Sequence, residues 1–205
     1  MSKFTYEFEK RTEALETFEW DNVWWDHANT EGVPRVLYIG DSISCATRIA
    51  STAQAENKIF FDGFGTSKAV DNPYFFDSVK MFALQQGNRE VVLFNNGLHG
   101  WHLDDETEYV TAYEKLLCLL LKEFEGTPFV ILLTTHVADP DRDKRVQKRN
   151  EKVMEIAKKY NLPTVDFYSI TKKHEDTITD GVHLNQEGYR YLAEAVVDKV
   201  KEIIG

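Results

Sequence analysis

Cysteine is scarce in this chain, with Cys45 and Cys118 the two thiols among 205 residues. Two thiols build no disulfide framework, so the fold has to rest on a buried apolar core. Each lies in a stretch with helical spacing, and both are expected to pack as small buried apolar residues. Proline occurs five times, and no run rich in Pro, Gly or Ser interrupts the sequence. That leaves no candidate linker or low-complexity segment. Long apolar runs are missing too. A bilayer span needs about 20 apolar residues, and a secretory signal needs an apolar stretch of about 7–15 near the start. Residues 1–11 instead mix aromatic and charged side chains. A cytoplasmic protein without membrane insertion is therefore expected. Positive charge is in deficit, with 24 Lys and Arg against 34 Asp and Glu, a net charge of -10. A field of that sign repels phosphate backbones and anionic lipid, which excludes nucleic acid as a partner class.

What is present is a composition 42% hydrophobic and 28% charged, that of one domain with a substantial core. Apolar runs bounded by turn residues recur at 35–39, 58–61, 90–94, 128–133 and 163–167, each short enough for a buried strand. Between them, apolar residues three and four apart predict helices over 43–54, 73–86, 105–125, 142–160 and 186–204. Strand and helix alternate, and the strands are apolar on both faces. This predicts an α/β protein, a three-layer α/β/α sandwich around a mainly parallel sheet of about five strands. Residues 35–205 form that domain. Residues 1–34, rich in aromatic and acidic side chains, are expected to be an arm, part helix and part irregular, packed on it.

In such sheets the site lies beyond the carboxyl ends of the strands. Polar residues there gain weight: Asp41 and Ser42 after the first strand, 62–68 after the second, 95–102 after the third and 134–139 after the fourth. Ser42 stands where a helix begins. The amides and dipole at a helix start stabilise the negative charge that a serine creates on attacking an ester carbonyl. Ser and Asp before a helix are also ordinary caps, so the position alone does not decide. The loop Asp180-Gly181-Val182-His183 shifts the balance. An aspartate three residues before a histidine on a turn can hold one imidazole nitrogen while the other faces a serine. Asp180 would then fix the tautomer, and His183 would take and return the proton. Asn185 suits the cap of the final helix.

Gly40-Asp41-Ser42 after the first strand and Asp180-Gly181-Val182-His183 near the C-terminus resemble two signature blocks of the SGNH/GDSL hydrolases, in the family's order. Leu184-Asn185-Gln186-Glu187-Gly188-Tyr189 is similar to the family's continuation after its histidine, and the resemblance runs over residues 35–204. The rival serine-hydrolase elbow needs a glycine two residues after its serine, where this chain has Ser44. The resemblance implies a flavodoxin-like sandwich and a serine esterase that needs no cofactor and acts on a small-molecule ester. A small acyl group such as acetate, carried by an alcohol such as a carbohydrate, is favoured. The family also contains thioesterases and lysophospholipases, and a ligand-binding module that has lost turnover is the non-catalytic alternative.

The resemblance further implies two oxyanion donors besides the serine amide. One is a glycine amide after the second strand. Gly63 and Gly65 both qualify, and Gly65 is preferred as lying further into the expected loop. The other is an asparagine in a Gly-x-Asn-Asp block, where this chain has Gly97-Leu98-His99-Gly100. His99 stands in the asparagine's place, and either its ring nitrogen or Asn96 is expected to donate instead. Asp41, beside the nucleophile, is counted with the groups that shape this part of the site.

His99 and His102, helped by His136 or Asp180, also invite a metal reading. Catalytic zinc usually needs three protein ligands in a recognisable motif, which is missing, so no metal is expected. Trp20, Trp24 and Trp25 are expected to fasten the N-terminal arm to the domain, with a wall for a sugar or acyl group as the alternative. Thr134, Thr135 and His136 are expected to line the same cleft. Charged runs at 139–148 and 198–202 mix both signs and read as solvated helix faces. Asn150 and Asp166 carry no role derivable from the sequence.

Overall fold

The computed structural model describes residues 18–87, 89–103 and 106–205. Its strands are β1 (Asp21–Trp24), β2 (Arg35–Gly40), β3 (Phe60–Thr66), β4 (Val91–Phe94), β5 (Phe129–Leu132) and β6 (Thr164–Val165). They form one sheet in the order β1-β3-β2-β4-β5-β6. All neighbouring pairs are parallel except β1, which runs antiparallel to β3. The helices are α1 (Ser42–Gln54), α2 (Phe75–Ala83), α3 (Glu106–Glu123), α4 (Pro140–Lys159), α5 (Phe167–Lys173) and α6 (Gln186–Ile204).

Successive strand residues point to opposite faces, and both faces are covered. Leu37, Ile39, Val92, Phe94 and Ile131 pack with Val79 of α2, Leu117 of α3 and Ile156 of α4. Val36, Tyr38, Val91, Leu93 and Val130 pack with Ile43 of α1, Phe167 of α5 and Val196 of α6. This is the expected α/β/α sandwich. After β2 the chain winds outward to β3, and from β4 it winds the other way through β5 and β6. The reversal lies between β2 and β4, so the loops after those two strands meet where such sheets bind ligands.

The sheet has six strands rather than about five because part of the expected arm is β1. Its four residues are all exposed, so no apolar alternation announces it. An edge strand needs only a partner for its backbone, which β3 supplies from Gly63 to Thr66. The helical part expected for the arm falls on residues 1–17, outside the described residues.

The second correction concerns β3, which continues through Asp62, Gly63 and Gly65 instead of ending at Phe61. Asp62 is buried there because Arg35 pairs with both its oxygens, Nε to Oδ2 at 2.8 Å and Nη2 to Oδ1 at 2.6 Å. The glycines make room for α1. A Cβ on Gly63 would meet Arg48 Nη1 at 2.2 Å, and one on Gly65 would meet Cys45 Sγ at 2.5 Å. These are close-approach glycines within a strand, not loop glycines. The last expected strand is also shorter, because Asp166 accepts from Ser169 N at 2.9 Å and starts α5.

Both cysteines depart from the expectation of burial. Cys45 is half-buried, and Cys118 is exposed on the outer face of α3, with its Sγ 3.2 Å from Tyr160 Oη. No helix among the described residues is long and apolar enough to cross a membrane.

Candidate active site

β2 ends at Gly40, Asp41 caps α1, and Ser42 is the first helical residue. A Cβ on Gly40 would lie 2.6 Å from that of Ser44, so the strand-to-helix turn is tight. Asp41 Oδ1 accepts from Ile43 N at 3.0 Å, and Asp41 O accepts from Ser44 N at 3.1 Å. The Ser42 amide has no partner within the helix, as for any first-turn amide. Asp41 itself is fully buried, and its Oδ2 has no hydrogen-bond partner. Burial pushes its carboxyl above the usual carboxylate range, against the opposing pull of His99, the Ile43 amide and His183.

The loop before α6 brings its own geometry. Asp180 Oδ1 accepts from His183 N at 2.7 Å and Val182 N at 3.1 Å, and Oδ2 lies 2.8 Å from His183 Nδ1. The His183 amide and ring, with the Val182 amide, hold the Asp180 carboxyl far below its usual range. An ionised carboxylate can only accept, so Nδ1 carries the proton and Nε2 is left as an acceptor. His183 Nε2 lies 2.8 Å from Ser42 Oγ, which therefore donates to it. Gly181 adopts φ +92, a left-handed conformation that favours glycine. Its carbonyl accepts from Ala138 N at 2.8 Å, and the His183 carbonyl accepts from Thr179 N at 2.8 Å. Asn185 caps α6 by accepting from Gly188 N at 3.0 Å. Ser42, His183 and Asp180 thus stand in one hydrogen-bonded line, with the Asp180 and His183 side chains 59% and 42% exposed.

The expected oxyanion groups are placed less uniformly. His99 is close enough to Asp41 to lower its pKa, and its ring meets that of Trp20 edge-on, 6.4 Å between centroids. Gly65 lies behind the turn, where an added Cβ would be 3.4 Å from Asp41 O. Its position inside β3 corrects the expectation of a loop glycine. Asn96 is buried, and its Nδ2 donates to Lys68 O at 2.9 Å, tying the loop after β4 to the loop after β3.

Trp25 stacks on Phe82 with 3.8 Å between centroids, and Trp24 lies under the Arg48 guanidinium. Trp20, next to β1, is the tryptophan of the three that reaches the loop after β4. Trp20 N donates to Ser67 Oγ at 2.8 Å, and Ser67 N donates to Trp20 O at 3.1 Å. His102 Nε2 pairs with Asp71 Oδ2 at 2.9 Å and His136 Nδ1 with Asp143 Oδ1 at 2.6 Å, while His136 Nε2 lies 3.7 Å from Glu175 Oε1. Among the described residues no group of three His, Cys, Asp or Glu is placed to hold a metal ion.

Two residues of α4 that sequence reasoning left aside have clear tasks. Asn150 Oδ1 accepts from Thr134 N at 2.8 Å, and its Nδ2 donates to Thr134 O at 2.9 Å, closing both backbone groups after β5. Arg149 reaches the loop after β4, donating to the Gly97, His99 and Gly100 carbonyls. Neither has a local signal, because both act on residues distant along the chain.

No protein-family model matches the chain, and no curated protein does either. Solved structures do. A member of the lipolytic G-D-S-L family from Veillonella parvula is 20% identical, with a TM-score of 0.67 over 81% of this chain and 97% of that one. An acetyl xylan esterase is 18% identical, with a TM-score of 0.66 over 81% of this chain and 99% of its own. A carbohydrate acetylesterase from Sinorhizobium meliloti is 15% identical, with a TM-score of 0.64 over 82% and 99%. The chain shares the fold of these hydrolases.

Proposed function

We propose that the protein is a serine esterase that hydrolyses a carboxylic ester through an acyl-Ser42 intermediate. The observation that carries this reading is the line from Asp180 through His183 to Ser42 Oγ, with both links at 2.8 Å. In the first step Ser42 Oγ attacks the ester carbonyl carbon and its proton passes to His183 Nε2. The Ser42 amide and the His99 ring nitrogen receive the oxyanion. Asp180 stays ionised and stabilises the imidazolium without taking its proton. The tetrahedral intermediate then expels the alcohol oxygen, which leaves with the proton from His183. Water attacks the acyl carbon, gives a proton to Nε2, and the carboxylic acid departs as Ser42 Oγ recovers that proton.

A small acyl group, with acetate as the first choice, is the favoured substrate, carried on a carbohydrate alcohol. Two observations support this. The exposed Asp180 and His183 side chains leave the nucleophile open to a bulky alcohol, and two of the similar structures are an acetyl xylan esterase and a carbohydrate acetylesterase.

Nitrophenyl esters of increasing acyl length provide the test. The wild-type protein is expected to hydrolyse the acetate best, and Ser42→Ala to lose at least about 10,000-fold in kcat. Equal hydrolysis by folded Ser42→Ala would overturn the mechanism. A preference for long acyl chains or for thioesters would overturn the substrate choice while keeping the nucleophile.

A further inference from the structure

Arg149 is 1% exposed, and its charge is fully spent inside the protein. Nε donates to Glu106 Oε2 at 2.7 Å. Nη1 donates to Gly97 O at 3.0 Å and His99 O at 2.8 Å, and Nη2 donates to Gly100 O at 2.9 Å. The guanidinium carbon lies 4.0 Å from the Tyr109 ring centre and 4.6 Å from that of Trp101. Tyr109 Oη in turn donates to Asn96 O. Four carbonyls between Asn96 and Gly100 are therefore fixed by side chains of α3 and α4. Arg145 continues the pattern at Trp101 O and Leu103 O.

A surface loop ordinarily leaves such carbonyls to water. Burying a guanidinium for them is costly and succeeds only where every donor is paired. The planar fork can meet several oxygens at fixed angles, which a lysine ammonium cannot. The loop so held carries His99 and follows β4, the neighbour of β2 at the winding reversal, where Ser42 begins the helix after β2. Oxyanion stabilisation requires donors that are already in place when charge develops.

We propose that Arg149 is a positioning residue for the oxyanion site: it fixes the backbone over 97–100 so that the His99 ring nitrogen meets the oxyanion on Ser42 without rearrangement. The inference rests on the esterase reading for its chemistry, but the clamp can be measured without turnover. Arg149→Lys keeps a cation for Glu106 and removes the fork. Its kcat on a short nitrophenyl ester is expected to fall about 10- to 100-fold with KM changed less than about threefold. Combined with His99→Ala, it is expected to cost nothing further, because both changes remove the same donor. Amide hydrogen exchange is expected to quicken at least about tenfold at 97–100 and to stay unchanged at 180–183. Should Arg149→Lys fail to fold, Glu106→Gln loosens the same anchor and is expected to move the same readouts in the same direction. Unchanged exchange at 97–100, an unchanged kcat, or additive losses in the double variant would each overturn the proposal. Lack of Ser42-dependent turnover in the wild type would sink the esterase reading instead, and the exchange measurement would still decide whether Arg149 holds the loop.

Discussion

The loop over 178–184 and the loop over 95–103 flank the same serine, and they are held in opposite ways. The first is secured mostly from within. Asp180 accepts from Val182 and His183, Thr179 binds the His183 carbonyl, and Ile178 bridges to Leu184, all inside seven residues. The second is secured from outside, by Tyr109, Arg145 and Arg149 on two helices. The first is exposed at its working side chains, while Asn96, Gly97, Leu98 and Gly100 of the second are buried. A carboxylate held by neighbouring amides keeps its geometry in water, whereas a donor on a loop without regular structure needs the rest of the domain to hold it.

A change in the first loop is therefore expected to remove activity at little cost in stability. Asp180→Asn is expected to lower kcat about 1,000- to 10,000-fold, as for other triads that lose the charge on this partner. Because the side chain is exposed, the fall in Tm is expected to be much smaller than that for a change in the second loop. A large drop in Tm would break the comparison.

In the second loop, activity and stability are expected to fall together. A Cβ on Gly97 would lie 1.7 Å from Thr134 Oγ1. Gly97→Ala is expected to cost about 1–3 kcal/mol by overpacking, measured by denaturant unfolding, with a parallel loss of kcat. Normal stability with reduced activity would show that this loop is as independent as the first.

The smallest effect separates the two carboxyls by the sign of their pH dependence. Asp180, held below its usual range, contributes stability above the pKa of the unfolded chain and loses it as pH falls through the folded value. Asp41, pushed up by burial, behaves in the reverse sense: its contribution is complete at low pH and is lost as pH rises through its raised folded value. Asp41→Asn retains a capping oxygen and is expected to flatten the decline of Tm with rising pH above the ordinary carboxylate range. A steeper decline in the variant would contradict the burial account.

The same contrast explains what the sequence made legible. Asp180, Val182 and His183 interact at a spacing any reader of the chain can see, and Ser42 follows an apolar strand at a helix start. The parallel core strands are equally plain, because burial on both faces leaves uninterrupted apolar runs. Arg149 was hidden, since it directly follows a run of mixed charge and its carbonyl partners stand about fifty positions earlier. Asn150, sixteen residues from Thr134, was hidden for the same reason. The glycines of β3 give no local sign of a strand, because a glycine needed for a close-packed helix looks the same in sequence as one needed in a loop. β1 gave no signal, since a strand exposed along its whole length has no reason to alternate.

The outermost strand decides which backbone edge the sheet turns outward. Without β1, one side of β3 would present its backbone amides and carbonyls as a template for another chain. Its partner positions Gly63, Phe64, Gly65 and Thr66 hold no charge that would discourage such pairing. β1 occupies that side and turns a more guarded rim to solvent: it is only four residues long, and Asp21 at its start pairs with Lys68 at 2.6 Å. Residues 21–24, a part of the expected arm, therefore serve as a selvedge along β3.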